Sequence, residues 1–265
     1  MAIQKSEAIV LKTYNFRETS LLVRFFARDF GKFSGLIKGI RSHPQRYSGL
    51  PQVFSRTSVV FYENSRRDLN LVTQCEAKEL FLPIREDLDR FNYASYFIEL
   101  LDAITVNFDK NEELFALTVD SLKALCAGLE SWRIARIFEV RLLNLSGFKP
   151  RLDACVNCQK EFPSAYPLPN GERDRVRGRF SPILGGILCA RCFALDRRAK
   201  DVLRGTLASI DYIEKSSWAK ALQLKIASNI AQELATILSS FLDIQLDKTI
   251  KSRKSLDLKE KPCYY

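Results

Sequence analysis

The chain has one histidine, His43, among 265 residues. It lies in the turn-like stretch RSHPQ, where an imidazole is solvated, and it is assigned no role; histidine-based catalytic triads are thereby removed. The zinc deaminase signature, His-x-Glu with Pro-Cys-x-x-Cys, is missing too. Gln45 follows His43 at the second position, and Ala154 and Leu188 precede the two Cys-x-x-Cys pairs. No Gly-x-x-x-x-Gly-Lys-Ser/Thr run is present, which excludes a P-loop ATPase. No apolar run reaches the ~18 residues of a membrane span. The opening MAIQKSEAIV has no signal-peptide layout. These absences lead to the expectation of a cytoplasmic, non-enzymatic protein with no membrane partner, in which thiols stay reduced.

What is present in excess is positive charge. Lysine and arginine number 41 against 31 acids, a formal net charge of +10. Four thiolates and one zinc ion would lower that to about +8, and the excess still implies an anionic partner. Residues 1–82 hold 13 of the cations against seven acids, so more than half of the excess lies in under a third of the chain.

The same region reads as strands. EAIVLKTY, SLLVRFFARD, KFSGLIKGI, QVFSRTSVVFYE and LNLVTQCEA are rich in Val, Ile, Phe, Tyr and Thr. Turn chemistry separates them at Asp29-Phe30-Gly31, Pro44, Gly49 and Asn64-Ser65. Five short strands predict a small barrel over residues 1–82, either an OB-fold or an SH3-like barrel. After Pro83 the apolar period becomes 3.6. Phe115, Thr118, Leu122 and Leu125 share one face, as do Ile134, Phe138, Leu142 and Leu145. Ser131 is a candidate N-cap and Gly147 a candidate C′ residue. Trp218, Leu222, Ile230, Leu234, Ile237 and Phe241 make one stripe over residues 216–243. The fold class is therefore α+β and multidomain. A helical domain in two parts, residues 83–150 and 196–247, flanks a cysteine segment at 151–195, and a flexible basic tail covers residues 248–265. The acidic trio Glu86, Asp87 and Asp89 reads as a solvated helix start favoured by the macrodipole rather than as a two-metal nuclease site.

The chain has seven cysteines. Four form CVNC, Cys155 to Cys158, and CARC, Cys189 to Cys192. Each pair sits at a local break, the second after SPILGG, whose glycines permit a tight turn. Paired Cys-x-x-Cys across a long loop is the spacing of a Cys₄ tetrahedral zinc site. Four thiolates fill the coordination sphere, so such a zinc is structural. A redox pair is disfavoured, because no βαβ unit surrounds either motif. Cys75, Cys126 and Cys263 stand alone.

Basic residues cluster around one strand end and loop: Lys38, Arg41 and Arg46, with Tyr47 and Phe33 close in sequence. Arg24, Arg28 and Lys32 add to the barrel's charge. Cations interleaved with aromatics on a small barrel suit single-stranded nucleic acid, where charge follows the phosphates and rings stack on bases. A second group, Arg173, Arg175, Arg177 and Arg179, alternates strictly in GERDRVRGRF. In an extended hairpin these four would face one side, as a phosphate-binding ridge or as a blunted edge strand. Arg133, Arg136 and Arg141 near Trp132 are candidates for contact with an acidic peptide.

EAIVLKTYNFRETSLLVRFFARDFGKFSGLIKGIRS, FEVRLLNLSGFKP, CVNC and GGILCARC, in this order, resemble the RecO family of bacterial recombination mediators over nearly the whole length. The opening block, with Glu18-Thr19-Ser20 and Lys38-Gly39, is the most specific part. The resemblance implies an N-terminal OB-fold, a central helical domain and an inserted Cys₄ zinc finger with one structural zinc. It implies binding of single- and double-stranded DNA, annealing of complementary strands, and help in loading RecA onto strands coated by single-strand binding protein, in DNA repair and homologous recombination. The implied partners are RecR and the acidic C-terminal tail of the single-strand binding protein, and the implied place of action is the nucleoid in the cytoplasm. YPLPNGERDRVRGRF is longer and richer in arginine than the family's finger. The competing expectation is an OB-fold and zinc-finger protein that binds structured RNA.

Overall fold

Alternation of inward and outward residues builds five strands first: β1 (Ile3–Phe16), β2 (Ser20–Ala27), β3 (Gly31–Ile37), β4 (Arg56–Tyr62) and β5 (Leu69–Glu79). Helices α1 (Leu82–Arg85), α2 (Leu88–Ile104), α3 (Glu112–Cys126) and α4 (Ser131–Leu145) follow. Then come β6 (Arg175–Ser181), β7 (Gly186–Cys189), β8 (Lys200–Leu203), α5 (Arg204–Lys215), α6 (Trp218–Leu222), α7 (Ser228–Leu246) and α8 (Arg253–Asp257). The computed structural model describes residues 2–43, 45, 50–63, 69–162 and 175–257, without the side chains of 175–177 and 257. The chain divides into two units, Met1–Ile134 with Ile250–Tyr265, and Ala135–Thr249. Among the described residues no helix is long and apolar enough to cross a membrane.

In the first unit the strands close a barrel in the order β1-β2-β3-β5-β4. The parallel β3–β5 pairing, Ser34↔Leu69 to Leu36↔Leu71, gives the Greek-key order of an OB-fold and decides between the two barrels that periodicity left open. β1 is long enough to pair with β4 through its first half and with β2 through its second, with a register shift between Val10 and Lys12. Phe25, Phe33 and Phe61 stack inside, with ring centroids 5.2 and 4.4 Å apart. Phe33, read from sequence as an aromatic accompanying the basic loop, is thus barrel core. Its position alternates inward, and burial of a ring outweighs any surface role.

Helix α2 starts as its acids require. Asp87 is the N-cap and accepts from Arg90 N at 2.9 Å, and Asp89 lies in the first turn. Asn111 caps α3 in the same way, accepting from Leu114 N. Glycine-bearing ends stop α3 and α4. Gly128 and Gly147 have φ of +75° and +78°. The bonds Phe148 N→Leu143 O and Gly147 N→Asn144 O form a Schellman closure. Ser131, the expected cap of α4, is its first helical residue instead. The carbonyl of Glu130 accepts the opening bonds from Arg133 and Ile134.

The barrel is joined to α2 by one carboxylate. Asp102, 8% exposed, receives Lys12 Nζ at 2.7 Å and Arg24 Nη1 at 3.1 Å, and Lys32 Nζ stands 3.6 Å away. Lys32 also donates to the carbonyls of Asp102 and Thr105. The chain after α2 continues along β3, with Phe108 N→Lys32 O at 2.8 Å. A Cβ at Gly31 would meet Asp109 O at 2.0 Å, so only glycine allows this approach.

In the second unit β6 is the central strand of a sheet ordered β7-β6-β8. It is therefore not the edge strand that one reading of the arginine run required. The stripe read over 216–243 is two helices, α6 and α7, separated at residues 223–227. The expected flexible tail is docked at its start. Ile250 and Leu256 are buried, and Glu99 accepts from Lys251 N and Ser252 N at 3.0 and 2.8 Å. Residues 258–265, with Cys263, lie outside the described residues.

Burial of the Asp102 carboxyl favours its neutral form, but Lys12, Arg24 and Lys32 together hold its pKa below the usual carboxylate range. A depressed pKa contributes stability above the unfolded value of about 4, lost as pH falls through the folded pKa. Asp102→Asn should cost about 2 kcal/mol at pH 7, less than the ~3–5 kcal/mol of a fully buried pair. Lys12 and Arg24 side chains remain 39% and 38% exposed, which is the reason for that discount. In urea titrations the gap between parent and variant should close below about pH 4. A gap independent of pH would show that the ion cluster does not join barrel to helix.

Candidate metal centre and basic surface

The first Cys-x-x-Cys pair lies on a short turned hairpin. Ala154 bridges Glu161, Phe162 N donates to Asp153 O, and Gln159 N returns to Cys155 O at 2.9 Å. Gln159 takes φ +60° directly after Cys158 and turns the chain back. The second pair ends β7, with Cys192 N→Cys189 O at 2.8 Å. The two halves meet because Arg151 pairs with Gly186, giving Arg151 N→Gly185 O at 2.8 Å and Ile187 N→Arg151 O at 3.0 Å. Each glycine of SPILGG has a separate reason. Gly185 holds φ +77° in the turn, and a Cβ on Gly186 would meet Arg151 O at 2.2 Å.

The four sulfur atoms lie within 4.8 Å of one another, and none of the four cysteines is in a disulfide. Cys158 and Cys189 Sγ are 3.5 Å apart, Asn157 Nδ2 donates to Cys192 Sγ at 3.3 Å, and Cys189 N donates to Cys155 Sγ at 3.4 Å. Burial acts to raise the Cys155 thiol, yet backbone N–H groups of Cys158, Cys189 and Asn157 bring it down to about 6. Cys192 is pushed up to about 11: the Asn157 bond lowers it, but burial and the three neighbouring thiols outweigh that bond. Four thiols in this space cannot all ionise alone, and a bound cation removes that conflict. The cluster can hold one metal ion.

Beneath it lie Leu188 and Ala199, with Val156, Phe162 and Phe193 packed around them. The sheet carrying it is not an isolated finger. β8 runs directly into α5, and Phe180 meets Phe241 of α7 edge-on at 5.9 Å.

The basic residues separate into three groups. Lys38 and Arg41 are exposed beyond β3. Arg41 reaches the β1–β2 turn, with Nη1 donating to Arg17 O at 3.3 Å and N to Thr19 O at 2.9 Å. Exposed Arg17 stacks over Phe16 at 5.5 Å and joins them. Lys32, a candidate phosphate contact, is 8% exposed and spends its ammonium on Asp102 and two carbonyls; it holds α2 rather than an outside ligand. Arg24 is tied to the same carboxylate, and Arg28 pairs with Asp29 at 3.5 Å. Arg179 pairs with Asp201 at 2.9 Å and lies over Phe193 at 4.7 Å. Arg175 and Arg177 are on β6 by their backbone, and the β6–β8 register shifts between Arg175 and Arg179. Arg46, Tyr47 and Arg173 lie outside the described residues. Arg133 pairs with Glu130, Arg136 with buried Glu139, and Arg141 donates to the carbonyls of Ile213 and Ser216. Sequence reasoning missed Asp102, because it meets its three partners on β1, β2 and β3 only when α2, 70 to 90 residues on, packs across those strands.

Two family models match the chain, Recombination protein O N terminal over residues 1–81 and Recombination protein O C terminal over residues 85–254. A DNA repair protein RecO from Moorella thermoacetica is 33% identical over 249 residues, covering 94% of this chain and 88% of that protein. Proteins of the same name from Pelotomaculum thermopropionicum and Syntrophus aciditrophicus are each 32% identical, covering 97% of this chain and 94% and 96% of theirs.

Metal analysis of the purified protein should give one divalent ion per chain. Chelation should unfold the segment around the cysteines, because so small an apolar cluster does not hold two knuckles without metal. Cys189→Ser should do the same. Four freely titratable thiols with no bound metal would rule the centre out.

Proposed function

The chain belongs to the RecO family, and from that premise we propose that it is a DNA-binding recombination mediator in DNA repair. It binds single- and double-stranded DNA, anneals complementary strands and, with RecR, helps load RecA onto DNA coated by single-strand binding protein, whose acidic tail it meets. It acts in the cytoplasm at the nucleoid and without base chemistry of its own. The observation that carries the reading is the basic end of the OB barrel, where Arg17, Lys38 and Arg41 are exposed and Arg41 reaches the backbone of Arg17. The names of its relatives support the repair role.

The metal is a single structural zinc held by Cys155, Cys158, Cys189 and Cys192. Zinc–thiolate bonds of ~2.3 Å place sulfurs about 3.8 Å apart in a tetrahedron, a spacing the clustered sulfurs can adopt. Zinc there supplies folding energy to the finger at 151–195, between the two parts of the helical domain. Annealing follows from charge. Two strands repel each other, and a protein with two basic surfaces screens both while their bases pair. The barrel end is one surface, and the run from Arg173 to Arg179 is the second.

Neutralising about five phosphates on a single strand should give log K a slope near −3.5 against log salt. Replacing Lys38 and Arg41 together by alanine should make it shallower by up to about 1.4. Annealing should fail as the Debye length shortens from ~10 toward ~3 Å. Replacing Arg173, Arg175, Arg177 and Arg179 should impair annealing more than single-strand binding. Normal annealing by that variant would remove the second surface, and preference for structured RNA over DNA in competition would overturn the reading.

A further inference from the structure

The barrel carries an external apolar belt. Starting at Tyr14 on β1, the ladder partners are Leu22, Leu36, Leu71 and Tyr62, and the last of these pairs with Ile3 at the other end of β1. Alternation turns all six away from the core, whose members on the same strands are residues such as Val23, Ile37, Val72 and Phe61. Tyr14 is 49% exposed and Ile3 64%. Leu22, Leu36, Leu71 and Tyr62 are half-buried. Because the belt leaves and rejoins one strand at opposite ends, it winds obliquely along the barrel. Five strand steps make it roughly 24 Å long.

Part of the remaining outer surface of β2 and β3 meets α2 and the chain after it, where Arg24 and Lys32 bond Asp102, Lys32 bonds Thr105, and Phe108 N donates to Lys32 O. Phe26, the next outward position of β2, is fully buried. The belt borders that covered area, and cations flank it. Lys12 and Arg24 form the adjacent outward row beside Tyr14 and Leu22, each more than a third exposed despite its bond to Asp102. Lys5 lies two residues from Ile3, and Arg17 lies beyond Tyr14 over Phe16. The nearby acids are Glu18 in the turn and Glu63, which Gln4 holds at 3.0 Å.

An apolar track bordered by positive charge complements a polyanion that can turn apolar faces toward it, as an unpaired nucleic-acid strand does with its bases. In a duplex those faces are stacked inside, and what is presented is the sugar-phosphate backbone and the base edges. We propose that this belt is the single-strand-selective part of the barrel, with Tyr14 and Tyr62 as base-stacking platforms and the flanking cations following the phosphates. The proposal rests on the DNA-binding reading above and adds to it where bases, as opposed to phosphates, are held. The track has room for about four nucleotides, the lower end of single-strand sites on OB-folds.

The test separates stacking from charge. Full-length parent, Tyr14→Ala/Tyr62→Ala and Tyr14→Phe/Tyr62→Phe are titrated with labelled oligo-dT and with an abasic oligomer of equal phosphate count, over a series of salt concentrations. The alanine pair should bind oligo-dT about tenfold or more weakly at every salt concentration, with the salt slope unchanged, and the phenylalanine pair should restore binding. Affinity for the abasic oligomer and for duplex should be the same in all three proteins. Equal weakening on the abasic oligomer, or normal oligo-dT binding by the alanine pair, overturns the proposal and leaves DNA binding intact. Normal oligo-dT binding with lost binding of a protein partner would make the belt a protein interface. A parent that binds neither oligomer overturns this proposal together with the DNA-binding reading.

Discussion

A carboxylate with 8% of its surface exposed stays ionised only where cations or N–H donors replace water, and Asp102 is surrounded by Lys12, Arg24 and Lys32. Those three come from β1, β2 and β3, consecutive antiparallel neighbours, with Lys12 directly opposite Arg24. Asp102 comes from the last turn of α2, which must lie across those strands to deliver it. Each cation loses hydration on the way in, so the cluster's net worth is modest. The cost of breaking it is larger, because a lone buried charge is left behind. The constraint is therefore chiefly one of geometry. It fixes which side of the barrel the helix occupies.

That choice redistributes the barrel's charge. The strand 2–3 face of an OB-fold is its usual ligand surface. Here part of it is covered by α2 and by residues 107–109, which lie along β3 through Lys32↔Asn107 and Phe108 N→Lys32 O. Of the candidate barrel cations, Lys32 is drawn into the covered area and Arg24 stands at its edge, its side chain still 38% exposed, whereas Lys38 and Arg41 stay exposed at the barrel's end. A net charge of +10 is a property of the whole chain. Which cations can meet a phosphate is decided by one acid in a helix that composition does not distinguish from any other.

The sequence made local features legible and left long-range ones hidden. Five strands, the helix end at Gly147 and the macrodipole's favour for Asp87 follow from alternation, glycine's backbone freedom and helix electrostatics, each set within a few residues. The four cysteines were also readable, because metal ligands declare themselves by type and spacing before any fold is known. Lys32 was not, since its ordinary strand position gives no sign of Asp102 seventy residues on. Phe33, within a predicted strand, groups with the basic loop by nearness in sequence, and its stacking with Phe25 and Phe61 emerges only on pairing. The belt from Tyr14 to Ile3 is invisible for the same reason. Its members are adjacent across strands and scattered along the chain.

The finger illustrates where spacing stops being sufficient. Cys-x-x-Cys pairs suggest an insert that folds around its metal, and the apolar cluster beneath the thiols is small enough to need one. Yet its strand β6 is central, its β8 flows into α5, and Phe180 packs on Phe241. The N-terminus of α5 is itself closed from α7, where Glu233 accepts from Leu203 N at 3.0 Å and from Thr206 Oγ1. A helix start whose N-cap N–H and first-turn hydroxyl are both held by one side chain of a neighbouring helix ties the two into one cooperative block. Order at the thiols thus extends through β6 and β8 to α5 and α7, so a metal held there would stabilise a helical layer that carries none of its ligands.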